Sequence, residues 1–258
     1  MGMMEPLSAK SVVLALGPAA DGRRLRLPTG WRGADGALQH GLRVRELCGA
    51  DEELLFQRAD TGSAARITAL LARVIEAADG LDHAPDEAFA AALSLGDRDC
   101  LLLRLRQIDL GDAVHQVLRC PHCAGKADID FLISELPLRG DNVDDQDGLQ
   151  RRVDLGDCQV LLRLPDGADQ AAVESLALAN PAAANTRLFA RILLDVDGQG
   201  GLDEAALRDW PLARRNRLAA WLALSLPGPD LMLDLACPHC QSDISYAFDL
   251  HSFFLPSA

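Results

Sequence analysis

The chain has 258 residues, of which 38 are acidic and 25 are lysine or arginine, giving a formal net charge of −13. This length suffices for one large or two small domains with a buried core. We expect no nucleic-acid partner, because phosphate binding requires a basic face. We also expect no membrane partner, since no stretch approaches the roughly 18 apolar residues of a membrane helix. The first residues lack a basic segment followed by an apolar run, which predicts a cytoplasmic location.

In chain order, the first predicted element is a short strand, Arg24 to Leu27, which runs into a Leu-Pro-x-Gly pattern. A helix is predicted next from an apolar stripe at helical spacing. The stripe consists of Ile67, Leu70, Leu71, Val74, Ile75 and Ala78. Asp86 and Asp97 are predicted to cap the next two helices, with Gly96 closing the shorter one in a left-handed conformation.

Beyond these helices the pattern changes to the two-residue period of strands. Alternation follows the first Cys-Pro-His-Cys unit and flanks the second. The alternating apolar residues are Ala127, Ile129 and Phe131 in the first case and Leu231, Leu233, Leu235, Ile244, Tyr246 and Phe248 in the second. Each Cys-Pro-His-Cys unit is therefore predicted at the tip of a two-stranded hairpin.

The two units belong to an internal repeat. An offset of 117 residues aligns 97–138 with 214–255, including both units, and an offset of 118 aligns Ala50-Asp51 with Ala168-Asp169. An ordered set of matches of this kind indicates duplication. The predicted fold is α+β, with two tandem repeats related by a pseudo-two-fold axis. Each repeat has a short strand, several helices and a hairpin bearing a zinc knuckle.

The predicted organisation follows from this alignment. The first repeat covers residues 11–138 and includes an insertion at 31–49, because Leu27 to Gly30 is matched with Leu164 to Gly167. An acidic, glycine-containing linker is predicted at 139–152, and the second repeat covers 153–258.

The two units supply four cysteines at the spacing typical of zinc ligands. Two CxxC turns can provide the four thiolates of a tetrahedral site. The predicted ligands of one structural zinc ion per chain are Cys120, Cys123, Cys237 and Cys240. Such an ion would join the two repeats.

Three other interpretations of the units remain open at this stage. Cys-Pro-His-Cys is also the active-site sequence of some oxidising thioredoxin-fold proteins, where the first cysteine lies at a helix N-terminus. His122 and His239 could be ligands of two separate sites. The turns could also be metal-free relics.

No catalytic motif accompanies these cysteines. The sequence contains no glycine-rich phosphate loop, HExxH or nucleophile elbow, so no catalytic or cofactor-binding residue other than the metal ligands is predicted. We expect a protein that is not an enzyme.

Five segments carry a resemblance to a known family. They are Val44 to Leu47, Gly49 to Leu55, Leu95 to Leu103, Arg119 to Cys123 and the apolar tail Phe248 to Phe254. Together they resemble the baseplate proteins of T-even-type phages. The resemblance covers most of the chain, although Gln241-Ser242 stands where the first unit has Ala124-Gly125. It implies an assembly factor or chaperone for the baseplate hub of a contractile tail-like injection system, with hub or spike proteins as partners. The alternative is a zinc-ribbon protein that binds nucleic acid or the transcription machinery.

Overall fold

The computed structural model describes residues 13–17, 23–56, 62–140, 149–248 and 250. The predicted repeat boundaries near residues 11 and 258, most of the linker (141–148) and the apolar tail beyond 250 lie outside these residues. The first half, residues 13–140, contains mixed helices and strands. In order they are β1 (Val13–Ala15), β2 (Arg24–Arg32), β3 (Leu38–Val44), α1 (Gly49–Phe56), α2 (Ser63–Val74), β4 (Ile75–Ala78), α3 (Glu87–Ala92), α4 (Leu95–Leu110), β5 (Ala113–Arg119), β6 (Lys126–Leu132), a 3-10 turn (Ile133–Glu135) and β7 (Pro137–Arg139).

The second half, residues 149–250, follows nearly the same order. Its elements are β8 (Gln150–Asp154), β9 (Gln159–Arg163), α5 (Gly167–Ala179), α6 (Pro181–Ile192), β10 (Leu193–Val196), α7 (Glu204–Arg208), α8 (Leu212–Ser225), β11 (Gly228–Pro229), β12 (Met232–Ala236) and β13 (Asp243–Ala247). The predicted α+β class is confirmed.

Each half has one three-stranded antiparallel sheet, β2-β3-β4 in the first and β8-β9-β10 in the second. The hairpins β5-β6 and β12-β13 are separate two-stranded sheets. A small sheet, β1-β7-β11, joins strands from both halves. The main cluster of buried residues fills the first half and includes Phe248 and Leu250 of the second, which has its own cluster around Phe189 and Leu218.

The helix predicted from the apolar stripe ends earlier than expected. Ile67, Leu70, Leu71 and Val74 are buried on α2, as predicted. Ile75 and Ala78 instead belong to β4, because Ile75 is extended and the strand pairs with β3. β-Branched residues favour strands, and Val74-Ile75 forms the change from helix to strand.

The start of α4 also differs from the prediction. Asp86 caps α3 as predicted, but the cap of α4 is Ser94, whose hydroxyl accepts a bond from the Asp97 amide. Gly96 lies inside α4 rather than closing the preceding helix. Its missing side chain is required because a Cβ there would lie 1.8 Å from the carbonyl oxygen of Pro227 in the second half.

The predicted insertion at 31–49 contains a strand that has a counterpart in the second half. β3 lies within it and occupies the central position of its sheet, as β9 does in the second half. Paired residues Leu25 and Leu42 are joined by a longer connection than the paired Val153 and Val160. The extra length therefore lies between the two strands, and Leu-Pro-x-Gly at Leu27 falls inside β2 rather than before a helix.

Each half contains a buried aspartate that forms ion pairs with two arginines, in the same arrangement. Asp51 at the start of α1 is fully buried. Its carboxylate oxygens lie 2.6 Å from a guanidinium nitrogen of Arg45 and 3.4 Å from one of Arg73. Asp169 lies 118 residues later at the start of α5. Its carboxylate oxygens lie 2.6 Å from a guanidinium nitrogen of Arg163 and 2.7 Å from one of Arg191. The hydrogen bonds from Arg45 lower the pKa of Asp51 to about 2. Each aspartate thus fastens a helix start to two neighbouring elements of its own half.

A glutamate from the second half caps a helix of the first. Gly62, the N-cap of α2, has no side chain to offer. Glu174 of α5 accepts the Ser63 amide at 2.7 Å, the Ala64 amide at 3.3 Å and the Ser63 hydroxyl. The carboxylate satisfies amides that α2 leaves unpaired and interacts favourably with the positive end of the helix dipole.

Replacing Glu174 with alanine is expected to lower the free energy of unfolding by about 1–2 kcal/mol, because a helix N-terminus loses its cap. Chemical denaturation measures the change. Glu53→Ala, at an exposed position of α1, is the control and should cost less than about 0.5 kcal/mol. Equal losses for the two variants would contradict the role assigned to Glu174.

Among the described residues, no helix combines the length and hydrophobicity required to cross a membrane.

Candidate metal centre

Both Cys-Pro-His-Cys units lie at hairpin tips, as predicted. The first connects β5 to β6, whose last pair is Arg119 and Lys126, and the second connects β12 to β13, whose last pair is Ala236 and Asp243. Side chains of one face of each hairpin are buried or half-buried and those of the other are exposed, which accounts for the two-residue period. Phe131 and Phe248, 117 residues apart, meet edge to face at 5.4 Å. The hairpins therefore approach each other from the two halves.

The four predicted ligands converge at these tips. All four Sγ atoms lie within 4.8 Å of one another. Cys120 and Cys240 are 3.7 Å apart, and Cys123 and Cys237 are 3.8 Å apart. A tetrahedral ion with Zn–S bonds of 2.3 Å would require S···S separations of about 3.8 Å. The arrangement could hold one metal ion, shared between the turns.

The two turns have the same pattern of cysteine burial and the same amide contact. Cys120 and Cys237 are buried, whereas Cys123 and Cys240 are exposed. In each turn the amide of the histidine lies 3.4 Å from the Sγ of the buried cysteine. Such amides stabilise thiolate charge.

The exposed cysteines differ in their acidity. Hydrogen bonds from the Ser242 hydroxyl and amide lower the pKa of Cys240 to about 6. The amide of Gly125 favours the thiolate of Cys123, but desolvation and the neighbouring thiols outweigh it and raise the pKa to about 12. Four thiolates this close together repel one another, and a bound cation removes that cost.

Each turn contains a residue in the left-handed region directly after its second cysteine. These residues are Ala124, with φ of 58°, and Gln241, with φ of 60°. The sequence of the turns differs at the following position, which is Gly125 in the first and Ser242 in the second. Gly125 itself lies outside the left-handed region, so the two turns carry the same backbone strain.

The placement of the turns bears on the alternative chemistries. Each unit is followed by a strand, β6 or β13, and not by a helix whose dipole would activate the first cysteine. The side chains of His122 and His239 are exposed and lie outside the group of converging ligand atoms. Of the remaining cysteines, Cys100 and Cys158 are buried, as expected for small apolar residues, but Cys48 is exposed.

Two contacts near the centre were not predicted from the sequence. Ser242 hydrogen-bonds Cys240, and the His239 ring reaches across to the first turn, where its Nε2 lies 2.8 Å from the Lys126 carbonyl oxygen. The only signal in the sequence was the difference between Gly125 and Ser242 at equivalent positions.

Comparison with known proteins gives one finding. A family model described as T4 bacteriophage base plate protein matches residues 35–255. Neither the curated proteins nor the solved structures gave a significant match. The matched range includes both hairpins and all four converging cysteines. Since the match spans most of the chain, this protein belongs to the T4 bacteriophage base plate protein family.

Proposed function

We propose that this protein is a non-catalytic assembly factor for the baseplate of a contractile phage tail-like injection system, and that a structural zinc ion holds its two halves together. The observation that carries the proposal is the convergence of four cysteines from both hairpins in a chain of a baseplate family. A centre of this kind favours a fixed relative position of the halves, as expected of a protein that presents a surface to a partner.

The choice of zinc rests on the donor set. Four thiols that can surround one ion favour zinc or an iron–sulfur centre among biological metals. The S···S separations of 3.7 and 3.8 Å suit a single ion with no bridging sulfide. Cys120, Cys123, Cys237 and Cys240 would each supply one thiolate, and the ion would act structurally, since four protein ligands leave no open position for a substrate.

The proposed pseudo-two-fold duplication is supported by equivalent contacts in the two halves. Besides the buried aspartates, Arg98 donates to Ala90 O, Ala64 O and Thr68 Oγ1. Its counterpart Arg215 makes the corresponding bonds to Leu207 O, Ala182 O and Thr186 Oγ1. Repetition of a whole set of contacts at offsets of 117 and 118 residues is the result expected from duplication of one ancestral unit.

The proposed clients are hub or spike proteins, and the proposed location is the cytoplasm, where such particles are assembled. The acidic net charge of −13 suits a soluble factor. The alternative, a nucleic-acid binder, would need the arginines around α8. Those arginines are engaged within the chain: Arg214 and Arg217 both bond Asp157, and Arg208 bonds Glu204. This observation favours the assembly role.

Co-expression with the candidate hub and spike proteins of the same gene cluster tests the role. We expect one of them to co-purify with this chain as a complex of defined mass in size-exclusion chromatography. We also expect the client to become soluble only in its presence. A Cys237→Ser variant is the matched control and should lose the complex. Failure to bind any baseplate component, together with salt-dependent binding of DNA, would replace the proposal with the nucleic-acid alternative.

A further inference from the structure

The two Cys-Pro-His-Cys turns have the same sequence but different contacts, and the difference centres on one histidine. We infer that His239 is a positioning residue of the metal centre, which fastens the turn of the first half against that of the second. The inference rests on the proposed zinc site and deepens it. His239 is separated by 113 positions from the residue it bonds, so the contact joins the two halves directly.

The bond has one possible direction. The Nε2 atom of His239 lies 2.8 Å from the carbonyl oxygen of Lys126. Because a carbonyl oxygen can only accept, Nε2 carries the hydrogen. Lys126 is the first residue of β6, directly after the first turn, so the bond fixes the point at which that turn returns to its hairpin. The ring acts through the backbone that carries Cys120 and Cys123 and is not itself a ligand.

Gly125 provides the space that the ring occupies. A Cβ at this position would lie 2.5 Å from the Cδ2 atom of His239, a distance that side-chain atoms do not tolerate. Since Gly125 does not adopt a left-handed conformation, close approach is the reason for glycine here. The ring is the nearest group, and the Sγ of Cys123 would lie 3.2 Å from the same Cβ.

The reciprocal contact is not made in the structure. The position equivalent to Gly125 in the second turn is Ser242, which has a Cβ, and its hydroxyl lies 3.4 Å from the Sγ of Cys240. Among the described residues, the side chain of His122 makes no hydrogen bond, and only its amide approaches a sulfur. The His239 ring of the second turn therefore packs against Gly125 of the first turn, whereas the Ser242 hydroxyl contacts a sulfur of its own turn.

A contact of this kind favours metal binding by holding the ligands in place beforehand. The two turns come from separate hairpins, and bringing them together costs conformational entropy. A hydrogen bond and a packed ring across the gap reduce that cost before the ion binds. Outer contacts of metal ligands typically change metal affinity by about 10–100-fold. We expect the change in zinc affinity on loss of His239 to lie at the lower end of this range, about tenfold, because the ring acts on the backbone and not on a sulfur.

The test measures zinc affinity by competition with a chromophoric chelator, using the full chain. His239→Ala is compared with the matched control His122→Ala, which removes the same side chain from the same motif position. We expect His239→Ala to weaken zinc binding by about tenfold and His122→Ala to leave it within about twofold. His239→Gln, which keeps a side-chain N–H donor, is expected to recover part of the loss. Circular dichroism of the zinc-loaded variants confirms that they remain folded.

A second pair of variants tests the fit between ring and glycine. Gly125→Ala alone is expected to weaken zinc binding about as much as His239→Ala. In the His239→Ala background, where the ring is absent, the additional effect of Gly125→Ala should be clearly smaller, because only the contact with the Sγ of Cys123 remains. Equal effects of the two histidine variants, or a Gly125→Ala effect of the same size in both backgrounds, would overturn the inference while leaving the zinc site standing. A wild-type protein that binds no zinc would overturn both.

Discussion

Replacing Cys237 with serine is expected to abolish stoichiometric zinc and to lower the free energy of unfolding by more than about 4 kcal/mol. Serine has nearly the same size but is a poor zinc ligand, and Cys237 is fully buried between the hairpins. Structural zinc in small domains is worth about 10–16 kcal/mol apparent at neutral pH, similar to the entire stability of a domain. Loss of one ligand should therefore release both hairpins rather than one turn.

Two measurements check this result. Elemental analysis should find one zinc per wild-type chain and almost none in Cys237→Ser. Thermal unfolding of the wild-type protein with a strong zinc chelator should reproduce the lower melting temperature of the variant, since both remove the same ion.

The chain offers a matched control for the exposed ligands. Cys123 and Cys48 are both exposed, but only Cys123 belongs to the converging group. Cys123→Ser should lose zinc and stability, whereas Cys48→Ser should keep the zinc and change the free energy of unfolding by no more than about 1 kcal/mol. A metal-free wild-type protein with unchanged resistance to heat would refute a structural zinc ion.

Replacing Arg98 with leucine is expected to lower the free energy of unfolding by about 3–5 kcal/mol. Arg98 is only 2% exposed and is the largest of the fully buried side chains. Its guanidinium donates to Ala90 O at 2.7 Å, Ala64 O at 3.2 Å and Thr68 Oγ1 at 3.0 Å. Leucine cannot donate to these oxygens. Ala64 O keeps the Thr68 hydroxyl as a donor, but Ala90 O and Thr68 Oγ1 lose the guanidinium, and buried acceptors that lose a donor are costly.

The second half provides the control for this prediction. Arg215 makes the same three kinds of bond but is only half-buried. Arg215→Leu should therefore cost less, about 1–2 kcal/mol, because water can replace the lost donor. Denaturant titration of both variants gives the comparison. Equal losses of unfolding free energy in the two variants would show that the deeper burial of Arg98 adds nothing to the stability.

The second half contributes to the burial of Arg98. Its guanidinium lies so close to Gly167 that a Cβ there would be 2.5 Å from Cζ. Around it, the Leu95 amide donates to Pro165 O and the Gly167 amide to Leu93 O. Burial lowers the pKa of Arg98, with Asp99 and Asp166 opposing that effect through their charges. Arg98 therefore couples the stability of α4 to the docking of the second half.

Features set by local pattern were predictable from the sequence. The two-residue alternation around each Cys-Pro-His-Cys unit placed both at hairpin tips, and the stripe from Ile67 to Val74 identified α2. The identity of the two units indicated that their cysteines would meet, because half a zinc site in each repeat is incomplete. These inferences depend on periods of two or 3.6 residues and on ligand chemistry, which are properties of neighbouring residues.

Element boundaries and the alignment of the halves were less predictable. The sequence could not show that the helix ends at Val74, since Ile75 continues the apolar stripe and becomes extended by pairing with β3. The shared Leu-Pro-x-Gly pattern matched Leu27 with Leu164, although the buried ion pairs match Arg45 with Arg163. A four-residue match carries less information than a conserved set of contacts in space.

By itself, the sequence determined the α+β class, the two hairpins and the four cysteines that converge. Only the tertiary structure decided that Gly96, Gly125 and Gly167 each make room for an atom of the other half. It likewise decided that Arg98 is buried and that His239 rather than His122 spans the two turns. The physical reason is that burial and close approach depend on which surfaces dock. Docking brings together residues that are far apart in the chain, and the periodicity of a local segment carries no information about such contacts.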